Sequence, residues 1–359
     1  MSTPVAIEPF VKLYDPSTYV ACDWDLALDS PARLGWVEFF IKHLETLLSL
    51  GVAARTARGS READVLRDAE RCRVEFAAKF TAFRDDPHTH GRVTILTLDE
   101  WRDGLLRKHG FVDAMIDLKN RENEKMLPLL PAVCREVDGH SGAEQIETLV
   151  RGVFAGNKFD MGAKATAAHY LGGAGESFFA TRSALKSRPW LIDGLDELMQ
   201  TLSRKRHEKI VFFVDNAGSD FLLGALVMIR WLAMQGVSVV IAANEHPTLN
   251  DMTVHDIRAW WPRITDAEPS LVNLPIEVVS TGTAEPLIDL SKVSRELNAA
   301  TFDADLVIIE GMGRGVESNL YAKFNCDALN LAMIKDELVA KRNGGEVFDC
   351  VCRFRVAGK

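Results

Sequence analysis

A mainly parallel, doubly wound α/β sheet flanked by helices, with a largely helical N-terminal half packed against it, is the architecture expected of this 359-residue sequence. Three observations carry that expectation. Up to about residue 205 apolar residues recur at helical spacing. From Lys209 onward short, nearly continuous apolar runs replace them, as suits strands covered on both faces. Helical stretches then separate several of those runs, the alternation of a parallel sheet with crossover helices. Hydrophobic residues make up 47% of the chain and charged residues 26%, enough apolar material for a sizeable core and too much for a disordered chain.

In the helical half the clearest stripe runs through Val65, Ala69, Cys72, Phe76, Phe80 and Phe83, at steps of four and three. Gly59-Ser60 precedes it, and Ser60 is the expected N-cap. Similar patterns predict helices over Trp36–Leu50, Trp101–Leu118, Ala143–Phe154 and Trp190–Leu202. The basic stretch Ser203–His207 reads as a solvated connection and divides the chain into a helical region, 1–205, and a Rossmann-like α/β region, 206–359. In the second region the apolar runs are Ile210–Val214, Val237–Ala242, Ile276–Val279, Leu306–Ile309 and Leu329–Ile334. Helical stretches are expected at Phe221–Gln235 and Leu290–Ala299. Cys350 and Cys352 alternate along a last strand-like run and share one of its faces.

Charge and targeting signals narrow the classes. The formal net charge is −9, so the chain has no basic field for nucleic acid. The N-terminus, MSTPVAIEPF, lacks the basic and apolar regions of a secretory signal. The most apolar stretch, Phe221–Met234, is interrupted by Arg230 and is too short to span a bilayer. The six cysteines are scattered without a C-x-x-C pair. These features predict a cytoplasmic protein with no nucleic-acid or membrane partner; oligomeric state stays open.

In a doubly wound sheet, ligands bind beyond the carboxyl ends of the strands. Three such ends carry unusual chemistry: Asp215-Asn216-Ala217-Gly218-Ser219-Asp220, then Asn244-Glu245-His246-Pro247-Thr248-Leu249-Asn250-Asp251, then Glu310-Gly311-Met312-Gly313-Arg314. If the first two strands are neighbours, Asp215, Asn216, Asn244, Asn250 and Asp251 gather at one rim. Carboxylates and carboxamides without His or Cys offer hard oxygen ligands suited to Mg²⁺ or Mn²⁺, through which an acidic chain can hold a phosphate. The competing reading of Asp215-Asn216 is a turn or helix cap. A haloacid-dehalogenase-type phosphatase would need a second carboxylate where Ala217 stands. The glycines around Arg314 do not complete G-x-G-x-x-G, because Ser318 takes the last position from Gly313. Neither a G-x-x-x-x-G-K-[ST] loop nor H-E-x-x-H occurs, and His88 and His90 read as surface residues.

Together the motifs are recognisable. Ala155-Gly156-Asn157-Lys158-Phe159-Asp160-Met161-Gly162-Ala163, Arg188-Pro189-Trp190-Leu191, Asp215-Asn216-Ala217-Gly218, Leu249-Asn250-Asp251-Met252-Thr253, Glu310-Gly311-Met312-Gly313-Arg314, Met333-Ile334-Lys335 and Gly344-Gly345 occur in that order. In this the chain resembles the metal-dependent damage-control phosphatases, first catalogued as domain of unknown function 89. It is most similar to subgroup II, found as plant stand-alone proteins and fused to pantothenate-kinase-like domains. The resemblance implies that Asp215, Asn216 and Asp251 ligate a divalent metal (Mn²⁺, Ni²⁺, Co²⁺ or Mg²⁺) and that Lys335 contacts the substrate phosphate. Asp215, Asp251 and Lys335 are then the catalytic set. Asn157, Asp160, Asp220, Asn244, Asn250, Glu310 and Arg314 complete the substrate-binding set, with Asp251 and Asp220 both open as the group that orients water. Ala217 departs from the serine common in relatives. The implied partner is a small phosphorylated metabolite, 4′-phosphopantetheine or its oxidised or damaged forms on the way to coenzyme A. An S-adenosylmethionine-dependent methyltransferase and a non-catalytic interaction protein are the alternatives.

Overall fold

The computed structural model describes residues 6–158 and 178–357. Strand β1 (Ile7–Glu8) precedes a run of helices: α1 (Ser30–Ala57), α2 (Glu62–Asp85), α3 (Ile95–Lys108), α4 (Ile116–Met126), α5 (Leu130–Gly139), α6 (Gly142–Lys158) and α7 (Phe178–Ser183). The predicted α2 stripe is buried, and Phe80 stacks on Phe76 and on Phe40 of α1, with ring centroids 4.1 and 5.4 Å away. The N-cap of α2 is Arg61 rather than Ser60, with no side-chain cap; Glu62 and Asp64 in the first turn complement the helix dipole instead. The predicted Trp101–Leu118 helix is two helices, because the chain turns through Gly110 at φ +83° between α3 and α4.

The expected Trp190–Leu202 helix also begins later. Strand β2 (Ile192–Asp193) occupies its first part and α8 (Leu195–Arg204) follows. Asp193 sets this boundary: its carboxylate pairs with Arg188 at 2.8 and 2.9 Å and accepts the Trp190 N–H. Ser203 and Arg204 end α8 and, with Lys205 and Arg206, are exposed, whereas His207 is buried between Asp305 and Asp327, and that burial lowers its pKa.

Beyond it come β3 (Lys209–Phe213), α9 (Leu226–Met234), β4 (Ser238–Ala243), α10 (Val254–Ala267), β5 (Ile276–Ser280), β6 (Val293–Ser294), α11 (Arg295–Thr301), β7 (Leu306–Glu310), β8 (Asp327–Met333), α12 (Glu337–Arg342) and β9 (Cys350–Arg355). The main sheet has the order β2-β9-β8-β7-β3-β4-β5. Strands β8, β7, β3, β4 and β5 are mutually parallel, and β9 runs antiparallel to β8 with β2 alongside it. The sheet is thus mostly parallel, as expected. The Phe221–Gln235 stretch splits into a π-helical segment, Asp220–Ala225, and α9. Arg230, which interrupts its apolar run, is buried in a two-pronged pair with Asp138 at 2.8 and 2.9 Å. The Leu290–Ala299 helix starts only at Arg295, because Val293–Ser294 pairs with β1 and Ser294 then caps the Leu297 N–H at 3.0 Å.

Strand alternation divides the core. Ile210 and Phe212 of β3, with Cys350 and Cys352 of β9, pack in one cluster with residues of α5, α6, α9 and α10. Val211 and Phe213 face the other way, into a cluster with Phe10, Leu13 and Leu297. A third cluster joins α1, α2 and α3 to Ala332, Ile334 and Val351, so the helical half covers the end of β8 where Lys335 follows. All six cysteines are buried and free. Among the described residues, no helix is long and apolar enough to cross a membrane.

Candidate active site

The parallel pairing of β3 with β4 and β7 brings the three polar strand ends to one rim. The loops after β3 and β4 are then tied together by backbone bonds. Asn216 bridges Asp251, Met252 N–H donates to Asp215 O at 2.9 Å, and Ala217 N–H donates to Asn250 O at 2.9 Å. Val254 N–H donates to Asn244 O, also at 2.9 Å, and fixes the start of α10. Two side chains separated by 36 positions (251 − 215) therefore converge.

Their meeting point is Arg314. Its guanidinium donates to the carboxylates of both Asp215 and Asp251. Asn216 and Asn157 donate to Asp215 Oδ2 at 3.0 and 3.2 Å. Asn244 donates to Asp251 Oδ2 at 3.1 Å and to the Glu285 carbonyl at 2.9 Å. Asp220 Oδ2 accepts from Asn157 and from the Asn216 amide, each at 2.9 Å, and from the Asn216 N–H at 3.2 Å. Asn157 also accepts the Met333 N–H at 3.2 Å, which ties α6 to β8. Glu310 accepts the Asp215 N–H at 3.3 Å. The Asn250 side-chain oxygen receives no hydrogen bond among the described residues. Asp160 lies outside the described residues.

Electrostatics give this cluster its character. Asp215, Asp220, Asp251 and Glu310 are buried with only Arg314 and Lys335 as cations among the strand-end residues. Burial raises Asp215 well above the ordinary carboxylate range, and the charges of Asp251 and Asp220 add to it against Arg314 and Lys335. Glu310 is likewise pushed well up, by burial first and then by Asp220 and Asp215. Among the described residues, neither Glu310 Oε1 nor Asp220 Oδ1 receives a hydrogen bond from an N–H or O–H donor. Burial and the Asp220 charge favour the protonated form of Glu310, which can donate to the Asp220 carboxylate. Lys335 is 1% exposed, so it is not a solvated strand-terminal lysine, and its charge lowers the pKa of both Asp215 and Asp220.

The donor set fits a divalent cation. Two carboxylates and a carboxamide are hard oxygen ligands, and the buried excess of negative charge is what a cation would offset. Among the described residues no group of three or more His, Cys, Asp or Glu side chains is arranged for a metal, so a cation here would need a donor such as Asn216 beside Asp215 and Asp251.

The same rim opens into a cavity of about 80 Å³, lined by Asp215, Asn216 and Asp251 on the sheet side and by Phe40, Asp99 and Arg102 on the helical side. Sequence reasoning missed this contribution. Arg102, buried on α3, pairs with Asp99 and with Asp103, the latter at 2.7 Å, and its signal was an Asp–Arg step of three on a buried helix face. Asn123 of α4 was also missed. It accepts the Gly218 N–H at 2.7 Å and rests its amide on the Met252 sulfur at 3.7 Å, holding both loops.

Two expected results follow from this geometry. Gly311 sits at φ +97°, and a Cβ there would lie 2.1 Å from Asp215 Oδ2. Gly311→Ala should therefore displace the Asp215 carboxylate and lower kcat/KM by roughly 10²-fold, an effect on the scale of losing one charge-stabilising group. Wild-type kinetics in that variant would contradict the packing. The second result concerns Asp99, whose carboxyl burial pushes up to about 7 from an ordinary 3.8, opposed by Arg102 and reinforced by Asp103 and Asp251. The folded state then binds the proton more tightly than the unfolded chain does. Its contribution to stability is full below about pH 4 and is lost as pH rises through 7. In metal-free protein, Asp99→Asn should flatten the urea-unfolding free energy between those pH values by on the order of 1–3 kcal/mol. An unchanged slope would show that Asp99 ionises normally.

The class is that of a mostly parallel α/β sheet with carboxylates, carboxamides, a lysine and an arginine gathered at its strand ends under a helical cover. The Damage-control phosphatase ARMT1-like domain matches residues 56–351, and the chain belongs to that family, whose members are metal-dependent phosphatases. It is 35% identical to the damage-control phosphatase At2g17340 of Arabidopsis thaliana, over 99% of each chain. It is 34% identical to pantothenate kinase 2 of the same plant and 28% identical to the 4′-phosphopantetheine phosphatase of Mus musculus. Each match covers 97% of this chain, but only 42% and 48% of those proteins. A solved structure from Pyrococcus horikoshii, described as a duf89 family protein, shares the fold at a TM-score of 0.63 and 20% identity, over 90% of this chain and 97% of that one.

Proposed function

We propose that this phosphatase hydrolyses small phosphomonoesters, and in particular 4′-phosphopantetheine and its oxidised or otherwise damaged forms. It would do so with a divalent cation held by Asp215, Asn216 and Asp251. The observation that carries the reading is the convergence of Asp215 and Asp251 on a single guanidinium at the wall of the cavity. The name of the mouse relative, over almost the whole of this chain, supports the substrate. Bound Mn²⁺, Ni²⁺, Co²⁺ or Mg²⁺ would polarise the phosphate and activate water.

The remaining work falls to the chain. Arg314, paired with Asp215 and Asp251, and Lys335, whose charge acts on Asp215 and Asp220, supply positive charge behind the cavity wall that offsets that of a phosphate. Asp251 lines the cavity and Asp220 does not, while Asp220 Oδ2 already accepts three hydrogen bonds. That difference favours Asp251 as the group that orients water and Asp220 as a positioning residue. Asn157, Asn244 and Glu310 lie behind the ligands and aim them; Asn250 presents a carboxamide oxygen at the loop. Water adds to phosphorus as the ester P–O bond breaks, and the alcohol leaves with a proton while inorganic phosphate forms. Phe40, Asp99 and Arg102 wall the site on its helical side.

The test is a phosphate-release panel with and without divalent cations, comparing 4′-phosphopantetheine, its disulfide and sulfonate forms, simple phosphomonoesters, a phosphodiester and DNA. Metal-dependent release from the monoesters alone is expected, because an acidic chain offers a polyanion no basic track. Cleavage of DNA with the monoesters left intact would overturn the reading.

A further inference from the structure

The rim cavity, at about 80 Å³, is small for the whole of a long ester, so part of such a substrate would extend beyond it. A second cavity of about 330 Å³ shares Glu317 with it in its lining. Two elements line both. The π-helical turn Gly313–Ser318 presents Gly313 to the catalytic cavity, Val316 and Ser318 to the larger one, and Glu317 to each. Helix α12 runs between them as well: Asp336, which caps its first turn, lines the catalytic cavity, whereas Val339, Arg342 and Asn343 line the larger one. Six residues of helix span roughly 9 Å. That is a reach for an elongated chain rather than for a single ring.

The larger cavity is aromatic and close to neutral. Tyr14, Tyr19, Trp24 and Tyr321 contribute rings. Arg342 lies over the Trp24 ring, 4.9 Å from its centroid, and is paired with Asp23 at 2.8 Å, so both charges are engaged within the wall. Tyr19 spends its hydroxyl on Asn319 at 2.7 Å and on the Leu290 N–H at 3.0 Å, leaving its ring as wall. Such a lining suits an uncharged chain with amide and hydroxyl groups better than a second anion.

We propose that this cavity is a substrate subsite that receives the uncharged amide- and hydroxyl-bearing arm of the ester while its phosphate sits at Asp215 and Asp251. The proposal rests on the phosphopantetheine reading above. It makes Tyr14, Tyr19, Val20 and Trp24, far in sequence from the polar strand ends, determinants of specificity.

Val20 and Tyr321 line the cavity and are 51% and 67% exposed, so changing them costs little stability. Val20→Trp fills the space and Tyr321→Ala removes a wall. The measurement is kcat/KM for 4′-phosphopantetheine divided by kcat/KM for phenyl phosphate, in wild type and both variants. The ratio should fall tenfold or more in each variant, through KM of the long ester. Free pantetheine should inhibit wild-type phenyl phosphate hydrolysis competitively and inhibit Val20→Trp at least tenfold more weakly. An unchanged ratio, with both esters cleaved, overturns the subsite and leaves the proposed function standing. A wild-type enzyme that cleaves phenyl phosphate but not 4′-phosphopantetheine overturns the substrate reading, and the subsite with it.

Discussion

Replacing Asp215 with alanine should abolish divalent-metal binding and phosphate release together, lowering kcat/KM by on the order of 10³-fold or more. Asp215 is the residue on which the site's contacts converge, with Arg314, Asn157, Asn216 and the Glu310-bound backbone all meeting at it. Removing it deletes one of only two carboxylates proposed as ligands. The folded state should nevertheless survive. Burial and neighbouring acids already disfavour the Asp215 charge, so its loss relieves repulsion, while Arg314 keeps Asp251 as a partner. The midpoint of thermal unfolding should therefore be retained or raised in metal-free protein. The two readouts are calorimetry with Mn²⁺ and phosphate release. Normal Mn²⁺ affinity in Asp215→Ala would remove it from the ligand set.

Lys335→Met should separate phosphate binding from metal binding. Lys335 follows β8 and is buried, where its charge acts on Asp215 and Asp220. An ammonium in that position neutralises charge that shifts as the phosphoryl group is transferred, so its loss should cost on the order of 10²-fold in kcat/KM. A lysine is not a ligand here, so Mn²⁺ affinity should hold to within a few-fold. Methionine keeps the length of the side chain and its packing, which limits the disturbance to charge. A fully active variant would exclude Lys335 from the site. A variant that loses metal as well as activity would make Lys335 a support for the carboxylates instead.

The parts of this architecture that were legible in the sequence are those set by local pattern. Buried parallel strands read as apolar runs, and a polar residue ending such a run lies at the rim by construction, which is why Asp215, Asn244 and Glu310 could be placed together. The rest depends on tertiary pairing. Strand β2 is two residues long and exists because β9 lies beside it, so its sequence carried no period. Strand β6 likewise depends on β1, which is nearly the whole chain away. Asp99 and Arg102 have the local pattern of helix-surface charges, and their burial depends on tertiary packing, in which Arg102 donates to Thr248. Asn123 belongs with these residues, since nothing in a polar helical stretch reveals that one amide reaches the Gly218 backbone. The helical half thus reads as a cover in sequence, and its part in shaping the site emerges only in three dimensions.

The most direct test of the account is one titration made on one sample: Mn²⁺ added by calorimetry to metal-stripped wild-type protein, with phosphate release from 4′-phosphopantetheine followed at each step. One Mn²⁺ per chain, with activity absent at the start and rising in proportion to occupancy, is the predicted result. Full hydrolysis by the stripped protein in the presence of chelator, with no Mn²⁺ taken up, would contradict it.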